Sequence, residues 1–230
     1  MDFKSYLDKL LLSNDVVKAF HNEYENNPDF KNYLVSILPE IDACAKMEQN
    51  NPWHIYNVLD HILHSVEAMN NQSKNLPEKD RTMLAYTMLL HDIGKPECHL
   101  TRMKKGVMID SFFNHNKASE RIANRFLPEI GFSEKDTKVI AKLVDKHDIF
   151  MFIEAGETKN PYHKKLTNKL INEEIKDLSQ VGDGEKLMRY LVMVGRSDNL
   201  AQNPEMTKDS LNMLKKFDEM LDMRLQMSNE

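Results

Sequence analysis

His91 and Asp92 stand side by side at the end of an apolar run, Met83 to Leu90, and just before Gly94. Two metal-capable side chains carried into a fold interior are costly unless something pairs with them. Four more such residues lie at long intervals: His61, His115, His147 and Asp198. The ordered set His, His-Asp, His, His, Asp offers only nitrogen and oxygen donors, which suits one or two divalent ions among Fe, Mn, Co, Ni, Mg and Zn. An aspartate next to a histidine can bridge two ions while neutral imidazoles complete each half. Two ions about 3.5–4 Å apart would polarise a phosphoryl oxygen and acidify a water, the equipment of a phosphoester hydrolase.

Each histidine also has an ordinary reading, as a helix-end cap or a surface side chain. His61 stands out because Val58, Leu59 and Ile62 surround it with apolar helix positions. His115 and His147 gain meaning only from the set. His21, His54, His64 and His163 read by default as ordinary residues.

Helices must position these ligands. Long intervals are expected when each ligand projects inward from a different helix of a bundle. Seven Gly and eight Pro in 230 residues, with 29% charged residues, predict an all-α protein. Hydrophobic spacing predicts helices over 2–24, 29–38, 39–47, 54–69, 77–92, 115–128, 134–148, 163–178, 184–201 and 207–227. Ser133 is the expected N-cap of the seventh of these. The C-terminal helix, with Leu211, Leu214, Phe217, Met220, Leu221 and Leu225, is expected to pack on the domain, and it permits a dimer. Between 96 and 114 the texture turns β-branched and aromatic around Lys105-Gly106, which predicts a small hairpin near residues 100–113. Residues 154–161 read as a surface loop. The division expected is an N-terminal helical extension (1–50), a ligand-bearing domain (51–205) and the C-terminal helix (206–230).

The net charge of −5 gives no bulk footprint for nucleic acid, although Lys164, Lys165 and Lys169 form a local basic group. Two cysteines, Cys44 and Cys98, fit a reducing compartment rather than a disulfide scaffold. The first fifteen residues lack the apolar core of a signal peptide, and no run approaches the ~20 apolar residues of a spanning helix. A soluble, cytoplasmic chain with no membrane partner, monomeric or homodimeric, is expected.

The segment Leu-Leu-His-Asp-Ile-Gly-Lys-Pro (89–96), with His-Ile-Leu-His-Ser-Val (61–66) upstream and Ser-Asp-Asn-Leu-Ala (197–201) downstream, resembles the HD-domain metal-dependent phosphohydrolase superfamily. Residues 107–119 and 142–148 are further similar to the HD domain attached to bacterial CCA-adding tRNA nucleotidyltransferases. The resemblance spans roughly 52–201. It implies an all-α HD bundle with core ligands His61, His91, Asp92 and Asp198, and a second ion on His115 and His147. Asp92 would bridge. Residues 1–50 are too few for a nucleotidyltransferase head, so a stand-alone HD hydrolase is expected. No Gly-Tyr-Pro follows a metal histidine, against the cyclic-di-GMP phosphodiesterases that carry it.

The activities the tRNA-linked relatives imply are 2′,3′-cyclic phosphodiesterase, 2′-nucleotidase and phosphatase. The expected substrate is therefore a small phosphorylated compound, a nucleotide or a tRNA 3′ end. The acidic net charge favours the nucleotide, since gripping a long RNA depends on counterion release. Three residues are candidates for catalysis: Asp92, Lys95 as a point charge toward a phosphate, and His54 as a pocket-mouth residue or proton donor to the leaving group. Lys95 could equally pair with the helix C-terminal dipole. Trp53 could stack on a base or belong to the core. Two other functions fit the same ligands: a mixed-valence di-iron oxygenase of HD fold, and a non-catalytic nucleotide-binding regulatory module. Dioxygen consumption would mark the first, and intact buried ligands count against the second.

Overall fold

The computed structural model describes residues 2–156 and 160–228, with side chains placed through Arg224. Among them are eleven α-helices and two sheets of two strands each. The all-α expectation holds, and so does the hairpin.

The chain opens with α1 (Phe3–Leu11), α2 (Val16–Asn26), α3 (Pro28–Ile37) and α4 (Glu40–Lys46). The sequence predicts one helix over 2–24, but the chain breaks after Leu11. Asp15 accepts the backbone N–H of Lys18 and starts a second helix, so the Ser13–Asp15 turn outweighs the continuous apolar spacing. Leu7, Leu11, Phe20, Phe30 and Leu34 from these helices are buried in the common core.

At its centre lie α5 (Val58–Ser73), α6 (Glu78–Leu90) and α10 (Gly184–Leu200), which pack on one another. All eight residues from Met83 to Leu90 are buried, so α6 runs through the interior rather than along it. Around this centre lie α7 (His115–Glu129), α8 (Glu134–Lys146), α9 (Asn168–Leu178) and α11 (Pro204–Ser228). Ser133 caps α8 as expected, accepting the N–H of Asp136. In α11, Met213, Leu214, Phe217 and Leu221 are buried, and the helix packs on α10. The side chain of Leu225 lies outside the described residues, as do residues 157–159 of the predicted 154–161 loop.

Three boundaries depart from the sequence reading. α5 begins at Val58 because Asn57 caps it, accepting the N–H of Asp60 at 2.8 Å, and residues 51–57 form a loop. The chain from Lys164 to Lys165 (β4) pairs in parallel with Ile153–Glu154 (β3), so the helix there starts only at Asn168, capped by Thr167. Helix α8 ends at Lys146, where the backbone tightens into a 3-10 turn over His147–Phe152.

Strands β1 (Leu100–Lys104) and β2 (Val107–Ser111) form the antiparallel hairpin. Lys105 and Gly106 have φ of 51° and 81°, the paired left-handed conformation of a two-residue turn, and Gly106 adopts it without a Cβ penalty. Most of the hairpin is exposed. Its anchor is Asp110, buried, which accepts the backbone N–H of Asn50 at 2.9 Å, Asn50 Nδ2 at 3.0 Å and Thr101 Oγ1 at 2.9 Å, and pairs with His99 Nε2 at 2.8 Å. No described helix is long and apolar enough to cross a membrane.

Candidate metal centre

Each candidate ligand sits where an element begins or ends. His61 is in the first turn of α5, Asp198 in the last turn of α10, and His115 opens α7. His91 and Asp92 follow α6 directly, and His147 follows α8. The turn after α6 is tight, with Lys95 N–H donating to the Asp92 carbonyl. Gly94 makes this possible. A Cβ there would lie 2.6 Å from Ser119 N, 2.7 Å from Ala118 Cβ and 2.7 Å from the His115 carbonyl. Only a glycine lets the start of α7 close onto the His91-Asp92 turn.

Six side chains from five elements then meet in two groups. In the first, ligand atoms of His61, His91, Asp92 and Asp198 all lie within 4.8 Å of one another; in the second, those of Asp92, His115 and His147 do. Asp92 belongs to both. Its Oδ2 is 3.1 Å from His61 Nε2 and its Oδ1 is 3.0 Å from His115 Nε2. Asp198 Oδ1 lies 3.0 Å from His61 Nε2.

The four imidazoles share one device. The Nδ1–H of His61 donates to the Ala201 carbonyl (3.2 Å), that of His91 to Met88 (2.6 Å), that of His115 to Phe112 (2.7 Å) and that of His147 to Val144 (2.7 Å). A carbonyl can only accept, so Nδ1 carries a proton and Nε2 points inward, where it can offer a lone pair to a cation or hold a second proton. These Nε2 atoms face each other, 3.3 Å apart for His61 and His91 and 3.1 Å for His115 and His147. Neutral lone pairs repel at that range unless a cation or proton lies between them. A cation bonded at about 2.1 Å to donors at tetrahedral or octahedral angles spaces them by roughly 3.0–3.4 Å. The donor set and spacing therefore fit divalent metal.

Electrostatics agree. Burial would push the Asp92 carboxyl up, but Lys95, His91 and hydrogen bonds from His115 and His147 hold it well below the usual carboxylate range. Asp198, equally resisted by burial, is held well below that range by His61 and His91. Burial opposes charging His147, yet Asp148 and Asp92 raise its imidazole well above normal. Such a cluster strongly attracts positive charge, whether protons or metal.

Asp148 is a residue the sequence reading missed. Its oxygens lie 3.2 Å from His147 Nε2 and 3.4 Å from His115 Nε2, so it faces the second group. The signal was present: His147-Asp148 repeats the His91-Asp92 dipeptide at the end of another helix. His115, Asp148 and Asp198 keep 11%, 20% and 14% side-chain exposure, against 3% or less for the other ligands, so the cluster opens on their side.

Lys95 and His54 are also brought here, though not as a helical pair. The buried Lys95 ammonium lies 2.6 Å from Asp92 Oδ2, donates to Gln49 Oε1 at 2.8 Å and to His54 Nε2 at 3.1 Å. His54 comes from the 51–57 loop, and its Nδ1–H donates to Asn51 Oδ1 at 2.7 Å. Burial and the neighbouring Lys95 charge lower its imidazole to about 2. A neutral ring whose Nε2 accepts from Lys95 orients that ammonium. His21, His64 and His163 pair with carboxylates at the periphery, as ordinary residues do. No family model matches the chain.

Proposed function

We propose that this protein is a metal-dependent phosphohydrolase of the HD type, acting on a phosphomonoester or phosphodiester of a nucleotide or nucleic-acid end. The observation carrying the reading is Asp92, one carboxylate whose two oxygens face two separate histidine groups. His61, His91, Asp92 and Asp198 would hold one ion; Asp92, His115 and His147, with Asp148 beside them, would hold the other. Bound there, such ions supply Lewis acidity toward a phosphoryl oxygen and lower the pKa of water at neutral pH.

The chain's own residues do the rest. The Nδ1–H bonds to backbone carbonyls fix every imidazole before substrate arrives, which removes reorganisation from the reaction. Lys95 places a desolvated positive charge beside Asp92, where it attracts a phosphate to the reacting end of the site. Gln49 and His54 hold that ammonium in place. The exposed edges of His115, Asp148 and Asp198 mark the side from which substrate enters.

The test is metal content per chain by elemental analysis on protein purified without added metal or chelator, followed by assay on nucleoside monophosphates and 2′,3′-cyclic nucleotides. About two equivalents with phosphoester hydrolysis is the expected result. Iron with dioxygen consumption and no hydrolysis would overturn it in favour of an oxygenase. One equivalent or fewer would leave His115 and His147 as structural residues.

A further inference from the structure

Trp53 is the only tryptophan in the chain, and it is absent from the core. Trp53 is 40% exposed, while its neighbour His54 turns inward to within 5.2 Å of the His61 ring, centroid to centroid. Consecutive residues thus face the ligand cluster and the solvent. Hydrogen bonds hold the backbone of this loop in place. Asn51 Oδ1 accepts the N–H groups of both Trp53 and His54, the Trp53 carbonyl accepts Asn203 N–H at 2.8 Å, and Asn203 Nδ2 donates to the Pro52 carbonyl at 3.0 Å. On the opposite flank, Asn50 ties the loop to the hairpin through Asp110. From that hairpin Lys104 extends its ammonium to 5.8 Å from the indole centroid.

We propose that Trp53 is a stacking platform for the base of a nucleoside phosphate whose phosphate lies at the metal-ligand cluster. The inference rests on the hydrolase reading and narrows its substrate class. Large rigid aromatics held at the surface by hydrogen-bonded backbone suit ligand contact, because little conformational freedom is lost on binding. Every base offers a π-face, so the platform favours nucleotides over sugar phosphates without choosing among bases. Lys104 adds a cation at the same rim, placed for a second negative charge or for the far edge of the base.

Because Trp53 is unique, its fluorescence reports on this subsite directly. The metal-loaded protein is titrated with adenosine 5′-monophosphate, adenosine and ribose 5-phosphate, and binding is measured in parallel by calorimetry. We expect saturable quenching by the two base-bearing probes and none by ribose 5-phosphate. Trp53→Leu should narrow the preference for adenosine 5′-monophosphate over ribose 5-phosphate by roughly 5- to 150-fold. Trp53→Phe should restore much of it. Equal affinity for the two phosphates with unchanged indole emission overturns the proposal. Hydrolysis of both at equal efficiency, without quenching, would sink the base subsite and leave the hydrolase standing. Quenching by adenosine in a protein that hydrolyses no phosphoester would do the reverse.

Discussion

Lys95 holds its ammonium 2.6 Å from Asp92 Oδ2, and both side chains are buried. The lysine therefore does not serve as a solvent-facing partner for the helix dipole. It counters one carboxylate while two further acceptors, Gln49 and His54, fix its direction. Replacing Lys95 with Met removes a charge-assisted donor worth about 1.5–3 kcal/mol, which corresponds to roughly a 10- to 150-fold loss in kcat/KM for a phosphoester. The apo protein should lose more thermal stability than the metal-loaded one, since bound cations replace the missing charge beside Asp92. Unchanged turnover and Michaelis constant in Lys95→Met would show that the substrate does not meet this ammonium.

Asp92 and Asp148 make different predictions, although each follows a histidine at a helix end. Asp92→Ala takes a donor from both groups, so metal content should fall toward zero and hydrolysis with it. Asp148→Asn perturbs only the group of His115 and His147, and should reduce content from about two equivalents toward one. Elemental analysis of the two variants, each checked for helical content, separates these outcomes. Chelation of the unaltered protein should lower Tm, because ions bound to the native state alone stabilise it by mass action. Equal metal content in both variants would remove the bridging role from Asp92.

The clustering of these side chains was legible because they are chemically unusual where they stand. His91-Asp92 ends a run that is buried at every position from Met83 to Leu90, and only a partner such as metal makes that tolerable. The hairpin was legible for a local reason, the turn chemistry of Lys105-Gly106. Local signals also failed where two of them competed. Apolar spacing ran through Leu12–Asp15, but the Asp15 cap decided the break; it ran from His54, but the Asn57 cap moved the start of α5 to Val58. That shift takes His54 out of the helix predicted over 54–69 and into the loop from which it reaches Lys95. Gln49 was illegible for another reason. Its role arises from approach between elements distant in sequence, which periodicity does not encode.

Gly94 links the fold to the candidate site through its close approach to the start of α7. A methyl group there would sit 2.6–2.7 Å from Ser119 N, Ala118 Cβ and the His115 carbonyl, and two of these atoms are backbone that cannot swing aside. Gly94→Ala should push the start of α7 away from the His91-Asp92 turn, at about 1–3 kcal/mol in stability. Because His115 is the first residue of α7, second-ion occupancy should fall together with Tm. A control at Gly156, where an added Cβ meets nothing within 4 Å, should leave both values near those of the parent protein. Loss of Tm with two full equivalents of metal would show that α7 repacks without disturbing His115.

Asp110 gives a pH signature away from the candidate metal centre. Burial opposes its charge, but the His99, Asn50 and Thr101 hydrogen bonds lower its carboxyl from the ordinary 3.8 to about 2. A carboxyl depressed in the folded state contributes stability that is complete above its unfolded value, and that stability is lost as pH falls through the folded one. The contribution, about 2 kcal/mol for a shift of this size, should therefore be present above pH 4 and disappear between pH 4 and pH 2. Asp110→Asn cannot ionise, so the difference in unfolding free energy between parent and variant should shrink across that window. Since Asp110 tethers the hairpin to Asn50, the variant should also expose the Lys104-Lys105 turn to faster tryptic cleavage at neutral pH. A stability difference that stays constant from pH 6 to pH 2 would mean that the tether owes nothing to the charge of Asp110.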